Sequence, residues 1–306
     1  MILPDPGFRC AAASVLRDEP LAGTASTVRA FVLLEHAGSW GVDALRDARL
    51  PEDLGGPLRE KAAEAGVRVL LVRRPGRPPQ RHHTAVFAAY ADPHRPWLER
   101  GDLYDKRDIL DLDFAALRAG RSAGLERDPG NVYAVCTHGR HDACCAERGR
   151  PVAAALSAAH PGDTWEVSHI GGDRFSGNLL VLPHGLYYGR LDAPTAVAVG
   201  GDHEAGHLEL DHLRGRSGYA MPVQAAEIAL RRELGETRND AVRLTHRSRD
   251  GAATEAVFAV GGSSWAVLVQ TTASETTRLT CQASRENAIP AHHITSITRV
   301  EGSAAG

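Results

Sequence analysis

Three of the five cysteines in this 306-residue chain lie within one ten-residue stretch, and this stretch limits what the chain can fold around. They are Cys136, Cys144 and Cys145, and a second segment with His169 and Asp173 on either side of a Gly-Gly pair follows about two dozen residues later. Thiolates and imidazoles are the ligands that soft and borderline metals select, and iron–sulfur clusters accept histidine in place of two cysteines. The two segments therefore indicate a metal or redox centre.

Both segments lie where a predicted strand ends. Residues 131–135 and 164–168 predict strands, and residues 150–160 predict a helix between them. A strand–helix–strand order of this length predicts a right-handed crossover with parallel strands. Cys136 then opens the loop after the first strand and His169 follows the second, where loops of an α/β sheet converge on a site.

The rest of the chain predicts a second crossover unit before these segments and mainly strands after them. The other predicted elements are strands at 28–35, 67–72 and 85–91, helices at 57–65 and 111–117, an exposed loop at 73–80, and a hairpin whose strands at 178–183 and 186–191 flank a His-Gly turn. Residues 224–234 predict an amphipathic helix with Gln224 and Arg231 on its polar side. Residues 241–300 alternate like strands and are followed by a tail of small residues.

Length and composition set the class of protein. A chain of 306 residues is long enough for two or three packed units. The formal charge is 35 − 38 = −3 with no block of like charge, so neither nucleic acid nor an anionic membrane is an expected partner. With no apolar run near about 18 residues and no signal-peptide pattern, a cytoplasmic location is expected. The odd cysteine number does not suit a disulfide framework, and the isolated Cys10 and Cys281 are predicted to be small buried residues.

The two cysteine and histidine segments occur among other short sequence motifs that follow one another in a recognisable order. These motifs are Phe8–Ala12, Glu19–Ala25, Gly38–Leu45, Gly149–Leu156, Leu180–Gly185, Tyr187–Leu191 and Arg214–Ser217. Together they resemble the sucrase/ferredoxin-like family, also described as thioredoxin-like ferredoxins. The resemblance implies a [2Fe–2S] cluster on a thioredoxin-like fold, held by two cysteines of the first segment and two residues of a His-x-x-x-His segment.

The resemblance assigns most of the ligands to residues of this chain. Cys136 matches the first cysteine, and Cys145 matches the second better than Cys144, which is the reserve ligand. His169 matches the first histidine, but Asp173 stands where the second would be. The fourth ligand therefore departs from the pattern.

Two roles are open for Asp173. As a ligand it would lower the reduction potential, because an oxidised core with two thiolates, one imidazole and one carboxylate carries a charge of about −1, against about 0 with two imidazoles. Alternatively, Asp173 pairs with Arg174 or Arg140, and water, Cys144 or another residue completes the ligand set.

These observations predict an α/β protein with a thioredoxin-like ferredoxin domain. The expected units are an N-terminal α/β unit at 1–125, the [2Fe–2S] domain at 126–220, and a helix with a β-rich appendage at 221–306. The expected function is electron transfer to or from an unidentified reductase or oxidase, rather than an enzyme with its own substrate. Two alternatives remain: a cluster-free thiol oxidoreductase in which Cys136 and Cys145 form a redox pair, and a zinc-stabilised interaction module.

Overall fold

The computed structural model describes Asp5, residues 7–76 and residues 82–300. The strands are β1 Ala30–Glu35, β2 Arg68–Arg73, β3 Thr84–Tyr90, β4 Trp97–Leu103, β5 Glu126–Asp128, β6 Val132–Cys136, β7 Thr164–Val167, β8 Leu179–Leu182, β9 Leu186–Tyr188, β10 Leu213–Arg216, β11 Arg243–Asp250, β12 Ala253–Val260, β13 Ser263–Ala273 and β14 Pro290–Val300. The helices are α1 Cys10–Leu16, α2 Ala44–Asp47, α3 Gly55–Ala65, α4 Phe114–Arg118, α5 Ala143–Ala159, α6 Ala193–Glu204 and α7 Met221–Leu234, with 3₁₀ helices at Lys106–Asp111 and Asp173–Phe175. The predicted loop at 73–80 falls partly, and the predicted tail after residue 300 wholly, outside the described residues. Among the helices of the described residues, none is both long and apolar enough to cross a membrane.

Ten strands form one large sheet in the order β10-β9-β8-β6-β7-β2-β1-β3-β4-β5. The pairs β1–β2 and β6–β7 are parallel, and the other neighbours are antiparallel. The sheet has two halves, a first half of β1–β5 and a second half of β6–β10. In each half the parallel pair is joined by a crossover that contains a helix, α3 in the first and α5 in the second, and an antiparallel hairpin follows. The predicted α/β class is confirmed, and the two halves of the sheet repeat one strand order.

The two halves meet along β2 and β7, through the carboxyl ends of both strands. Val72 pairs with Val167 and Arg73 with Glu166, whose side chains also form an ion pair of 2.6 Å. Because these strand ends lie side by side, the loops that follow them are gathered at the centre of the molecule. The regions predicted as separate units at 1–125 and 126–220 thus contribute to one continuous sheet.

Strand β6 is buried on both of its faces. Val132, Ala134 and Cys136 pack into one hydrophobic cluster, and Tyr133 and Val135 pack into another on the opposite side. This alternation follows from the two-residue period of a strand. It explains why the run is apolar throughout, as expected for a strand covered on both faces.

The C-terminal part is a four-stranded antiparallel sheet, β11-β12-β13-β14, packed against α7. The prediction that one side of α7 is polar and solvated is wrong: Gln224 and Arg231 are both 0% exposed. The helix lies between two layers, because Ile228 packs into the core of the large sheet while Leu230 packs on the C-terminal sheet. Gln224 donates hydrogen bonds to the carbonyls of Ala25 and Tyr219, which satisfies its buried amide.

Two neighbouring histidines make the stability of the fold depend on pH. His184, in the turn between β8 and β9, lies with its ring 4.9 Å from that of His203, and its buried Nδ1 has no hydrogen-bond partner among the described residues. Burial, together with the charges of His203 and Arg216, lowers the pKa of His184 from 6.5 to about 3. The unfolded chain therefore binds this proton more tightly, so stability is full above pH 6.5 and falls as the pH drops toward 3.

We expect urea unfolding to show a loss of about 2 kcal/mol between pH 7 and pH 4.5 from this histidine. The substitution His184→Asn removes this titrating group, so the profile should become shallower by about 2 kcal/mol in that window, while the pKa of His203, lowered to about 4, keeps part of the slope. The exposed His94 offers a control, because His94→Asn should leave the profile as it is in the wild type. Equal profiles for His184→Asn and the wild type would contradict this assignment.

Candidate metal centre

The first turn of α5 carries two of the three clustered cysteines. The predicted helix at 150–160 begins too late, since α5 starts at Ala143. Asp142 is its N-cap, and its carboxylate accepts a hydrogen bond of 2.9 Å from the backbone N–H of Cys144. Aspartate is a preferred N-cap, so this signal was present in the sequence. Cys144 and Cys145 are therefore helical neighbours about 100° apart around the axis, and their side chains point to different places.

A close contact between α5 and β6 brings Cys145 to Cys136. Gly149 lies directly against the end of β6, and a Cβ atom there would be 2.0 Å from the carbonyl oxygen of Cys136. Only glycine permits this approach of helix to strand. It sets the first turn of α5 over the strand end, where the thiols of Cys136 and Cys145 lie close enough to shift each other's pKa.

Replacing Gly149 by alanine should therefore push α5 away from β6. We expect a loss of about 1–3 kcal/mol in the free energy of unfolding, because the clash is with backbone that cannot rotate away. Gly201 in α6 is the matched control, since nothing lies within 4 Å of a Cβ there. Gly201→Ala should gain about 0.5–1 kcal/mol from better helix propensity. Urea unfolding measures both, and a Gly149→Ala protein as stable as the wild type would refute the close contact.

A buried arginine supports the loop that carries His169 and Asp173. Gly171 and Gly172 adopt positive φ angles of 97° and 80°, and a Cβ on Gly172 would lie 2.3 Å from Nη2 of Arg214. Arg214 donates to the carbonyl oxygen of Gly171 at 2.9 Å. Burial lowers its pKa to about 10, so the guanidinium stays charged at neutral pH. Strand β10, which carries Arg214, was missed by the sequence prediction.

The structure brings the four predicted ligand residues together at the junction of the two halves. Oδ1 of Asp173 lies 3.1 Å from Sγ of Cys145, whose thiol donates to it, and 2.8 Å from Nδ1 of His169. Despite this approach, Nδ1 of His169 has no aligned hydrogen-bond partner among the described residues. Asp173 is 3% exposed. A buried imidazole nitrogen, a carboxylate and two thiols thus converge on one place.

The ion-pair alternative for Asp173 is not what the structure shows. Arg174 pairs with Glu19 instead. Arg140 is exposed, and the described residues show no ion pair between it and Asp173. The partners of Asp173 are Cys145, His169 and a further histidine, His141, whose Nε2 lies 3.6 Å from Oδ2 of the carboxylate.

His141, in the loop between β6 and α5, stands beside the candidate ligands. The centroid of its ring lies 3.8 Å from that of the His169 ring, and the two ring planes are inclined by 30°. Its Nδ1 lies 3.2 Å from the carbonyl oxygen of Val42, to which it donates, and its Nε2 faces Asp173. His141, His169 and Asp173 therefore form a group that could hold a metal ion. The pairing with Val42 depends on the loop after β1, which sequence spacing does not reveal.

His138 fixes the position of His169. The backbone N–H of His169 donates to Nδ1 of His138 at 3.2 Å, which leaves Nε2 of His138 as the donor to the carbonyl oxygen of Gly41 at 2.9 Å. Burial lowers the pKa of His138, in keeping with a neutral ring that makes these two bonds. The first half of the chain, through Gly41, thus helps to hold a ligand of the second half.

Within each neighbouring pair of groups in the site, the two pKa values shift in opposite directions. The neighbouring thiol of Cys145 lowers the pKa of the Cys136 thiol, and the neighbouring Cys136, with burial, raises the pKa of Cys145. Burial by itself would lower the pKa of His169 and raise that of Asp173, but their close approach reverses both shifts. Without a metal these shifts move Cys136, Asp173 and His169 toward their charged forms. A bound cation would replace the imidazolium proton, so metal binding should release protons.

A second group of metal-binding side chains lies on the other side of the first turn of α5. It consists of Cys10, Asp142, Cys144 and Cys281, whose ligand atoms all lie within 4.8 Å of one another. The reserve ligand Cys144 therefore points away from Cys136. Cys10 is buried as predicted, whereas Cys281 is half-buried. Although both are isolated in the sequence, tertiary contacts join them to the start of α5 across more than 130 positions.

Comparison with known protein families matches residues 21–199 to the family described as sucrase/ferredoxin-like. No curated protein and no solved structure matches the chain. The matched range covers more than half of the 306 residues. It runs from before β1 into α6, and it contains Cys136, Cys145, His169 and Asp173. The chain therefore belongs to the sucrase/ferredoxin-like family.

Proposed function

We propose that this protein is an electron carrier that holds one [2Fe–2S] cluster through Cys136, Cys145, His169 and Asp173. The observation that carries the proposal is the convergence of two thiols, a buried imidazole nitrogen and a carboxylate, within a chain whose family description includes ferredoxin. This donor set suits iron, which accepts thiolate, imidazole and carboxylate ligands. The cluster would supply reversible one-electron chemistry.

The residues around the ligands have defined tasks in this proposal. The backbone hydrogen bond to His138 orients the His169 segment, and the cap of Asp142 and the contact of Gly149 hold Cys145 at the strand end. Arg214 places a buried positive charge behind the glycine loop, which offsets the negative charge of the ligand set. Such outer partners tune potential and ligand orientation.

The exposed edge of the site marks where electrons would enter and leave. The side chains of His169 and His141 are 29% and 32% exposed, whereas that of Asp173 is 4% exposed. A protein partner, a reductase or an oxidase, would therefore approach over the histidine edge. The thiols of Cys136 and Cys145 stay buried behind it, away from solvent oxidants.

The primary test is the composition of anaerobically purified protein. We expect a red-brown protein with iron and acid-labile sulfide in equal amounts, visible absorption that bleaches with dithionite, and an electron paramagnetic resonance signal in the reduced state. One-electron reduction and reoxidation by an artificial dye couple should be reversible. Colourless protein that contains zinc but no acid-labile sulfide after anaerobic expression would overturn the proposal.

Asp173 is the proposed fourth ligand because it is more deeply buried than His141 and its Oδ1 lies 3.1 Å from Sγ of Cys145. Removing its charge should raise the reduction potential, since an anionic ligand stabilises the oxidised core. We expect Asp173→His to keep the cluster, raise the potential and introduce a pH dependence as the new imidazole gains a proton on reduction. Protein-film voltammetry from pH 5 to pH 9 measures both effects.

The control for Asp173 is His141→Asn, which keeps a polar side chain at the neighbouring position. This variant should leave the cluster content unchanged and shift the potential only slightly. If instead His141→Asn lost the cluster while Asp173→Asn gave the wild-type resonance signal, His141 would be the ligand and Asp173 an outer partner.

A cluster-free thiol oxidoreductase is the second candidate function. The observation that favours it is the proximity of Cys136 and Cys145, which lowers the pKa of the first thiol and raises that of the second. A low-pKa thiol next to a second thiol is typical of dithiol redox pairs. If this function held, mild oxidation of iron-free protein would form a Cys136–Cys145 disulfide that dithiothreitol reverses, and iron would never accumulate in anaerobic preparations.

A further inference from the structure

Three cysteines from distant parts of the sequence meet at one buried point away from the cluster ligands. Cys10 starts α1, Cys144 lies in the first turn of α5, and Cys281 lies in the segment between β13 and β14. Sγ of Cys281 is 3.4 Å from Sγ of Cys144 and 3.6 Å from Sγ of Cys10. The proposed electron carrier uses none of the three.

The carboxylate of Asp142 completes the group. Both of its oxygens lie 3.6 Å from Sγ of Cys10. One oxygen accepts from the backbone N–H of Cys144 at 2.9 Å, and the other from the backbone N–H of Cys281 at 2.7 Å. Asp142 is 0% exposed, and these two bonds hold it rigidly while leaving lone pairs that face the sulfurs.

The spacing of these atoms matches a tetrahedral site for a single ion. With Zn–S bonds of about 2.3 Å and a Zn–O bond of about 2.1 Å, tetrahedral geometry places sulfurs about 3.8 Å apart and a sulfur and an oxygen about 3.6 Å apart. The observed separations of 3.4 and 3.6 Å between sulfurs, and of 3.6 Å between sulfur and oxygen, are close to these values. A disulfide would require a sulfur separation of about 2.05 Å and would leave one thiol unpaired.

Positive charge near the group offsets the charge of its ligands. Arg9 lies where its charge acts on Cys144 and Cys281, although its guanidinium also pairs with Glu147 at 2.8 Å. Arg278 donates to the carbonyl oxygen of Cys281 at 3.2 Å. Three thiolates and a carboxylate around a divalent ion carry a net charge of −2. The two guanidiniums reduce the free-energy cost of burying this charge.

We propose that Cys10, Cys144 and Cys281, with Asp142, bind one Zn²⁺ ion in a structural site that is separate from the proposed cluster. All four ligands come from the protein, so the site is closed, as structural zinc sites are. The ion would join the N-terminal helix, the first turn of α5 and the C-terminal β-rich part into one unit. Because Cys144 and Cys145 are adjacent on α5, zinc would also stiffen the turn that presents Cys145 to the first site.

Metal analysis of the full chain, purified anaerobically with zinc present and then desalted, tests the proposal. We expect one zinc per chain, and at least about tenfold weaker zinc binding in Cys10→Ser and Cys281→Ser, because each removes a ligand. Cys136→Ser, in the proposed cluster site, is the matched control and should keep its zinc. Zinc loss in Cys136→Ser with full retention in Cys281→Ser would overturn the assignment, as would a wild-type protein that keeps no zinc.

A second measurement does not depend on folding of the variants. In the reduced wild type, zinc should protect Cys10, Cys144 and Cys281 from alkylation, and a chelator should expose them together, as read by mass spectrometry of peptides. Cobalt in place of zinc should give the sulfur-to-metal charge-transfer bands of a tetrahedral thiolate site. Alkylation of the three thiols at equal rates with and without zinc, or a Cys144–Cys281 disulfide in metal-loaded protein, would overturn the proposal.

These results can be separated from the test of electron transfer. The zinc readouts concern Cys10, Cys144 and Cys281, whereas iron, acid-labile sulfide and the resonance signal report on Cys136 and Cys145. A colourless protein with protected Cys281 would support the zinc site while removing the proposed cluster. A red-brown protein with freely alkylated Cys281 would do the reverse.

Discussion

Replacing Cys136 or Cys145 by serine should remove the visible absorption of the anaerobic protein and lower its iron content at least about tenfold. Serine substitutes a hard and normally protonated hydroxyl for a polarizable thiolate. The two thiols lie next to each other at the junction of β6 and α5 and are the two proposed sulfur ligands from the chain, so each substitution leaves iron with a single one. Iron and sulfide assays with visible spectroscopy measure the effect.

Cys144→Ser is the matched control for these two substitutions. Its side chain leaves the same helical turn in another direction and contacts Cys281 at 3.4 Å. We therefore expect Cys144→Ser to retain most of the iron while weakening zinc binding. Equal loss of iron in all three variants would contradict the choice of Cys136 and Cys145 as the sulfur ligands.

Removing the charge of Glu227 should cost about 3–5 kcal/mol in the free energy of unfolding. This carboxylate, 1% exposed, lies between two buried guanidiniums, with Arg216 and Arg231 each 2.9 Å from its Oε1. Glu227→Gln keeps the shape but leaves two buried positive charges without an anion. Glu227, Arg216 and Arg231 together join α7 to β10, the strand that also carries Arg214. The loss of stability should therefore affect the large sheet as well as the C-terminal part.

Urea unfolding at neutral pH measures this loss, and the same helix supplies a control. Arg232 pairs with Asp211 at 3.4 Å across an exposed surface, where the two side chains are 50% and 84% exposed. Asp211→Asn should therefore change stability by less than about 0.5 kcal/mol. A similar small change in Glu227→Gln would mean that the buried guanidiniums find other partners or water.

Local patterns in the sequence predicted most of the elements that surround the site. The strands predicted at 131–135, 164–168, 28–35 and 67–72 agree closely with β6, β7, β1 and β2, because short apolar or alternating runs are a local signal of strands. The start of α5 was predicted too late, since the period of an amphipathic helix is weak in its first turn. The N-cap Asp142 was the missed signal.

The sequence alone thus determined the crossover units, the α/β class and the position of Cys136 and His169 at strand ends, all of which follow from local periodicity. Only the tertiary structure decided that Cys144 leaves the first site to meet Cys10 and Cys281, and that His141 joins Asp173. Those contacts depend on how segments more than 100 positions apart pack against α5, and on the loop after β1 that orients the histidines. Local sequence spacing does not show which distant segments pack together, because the hydrophobic effect determines which residues are apolar but not which of them meet. It also does not show which neighbour a helical side chain points to.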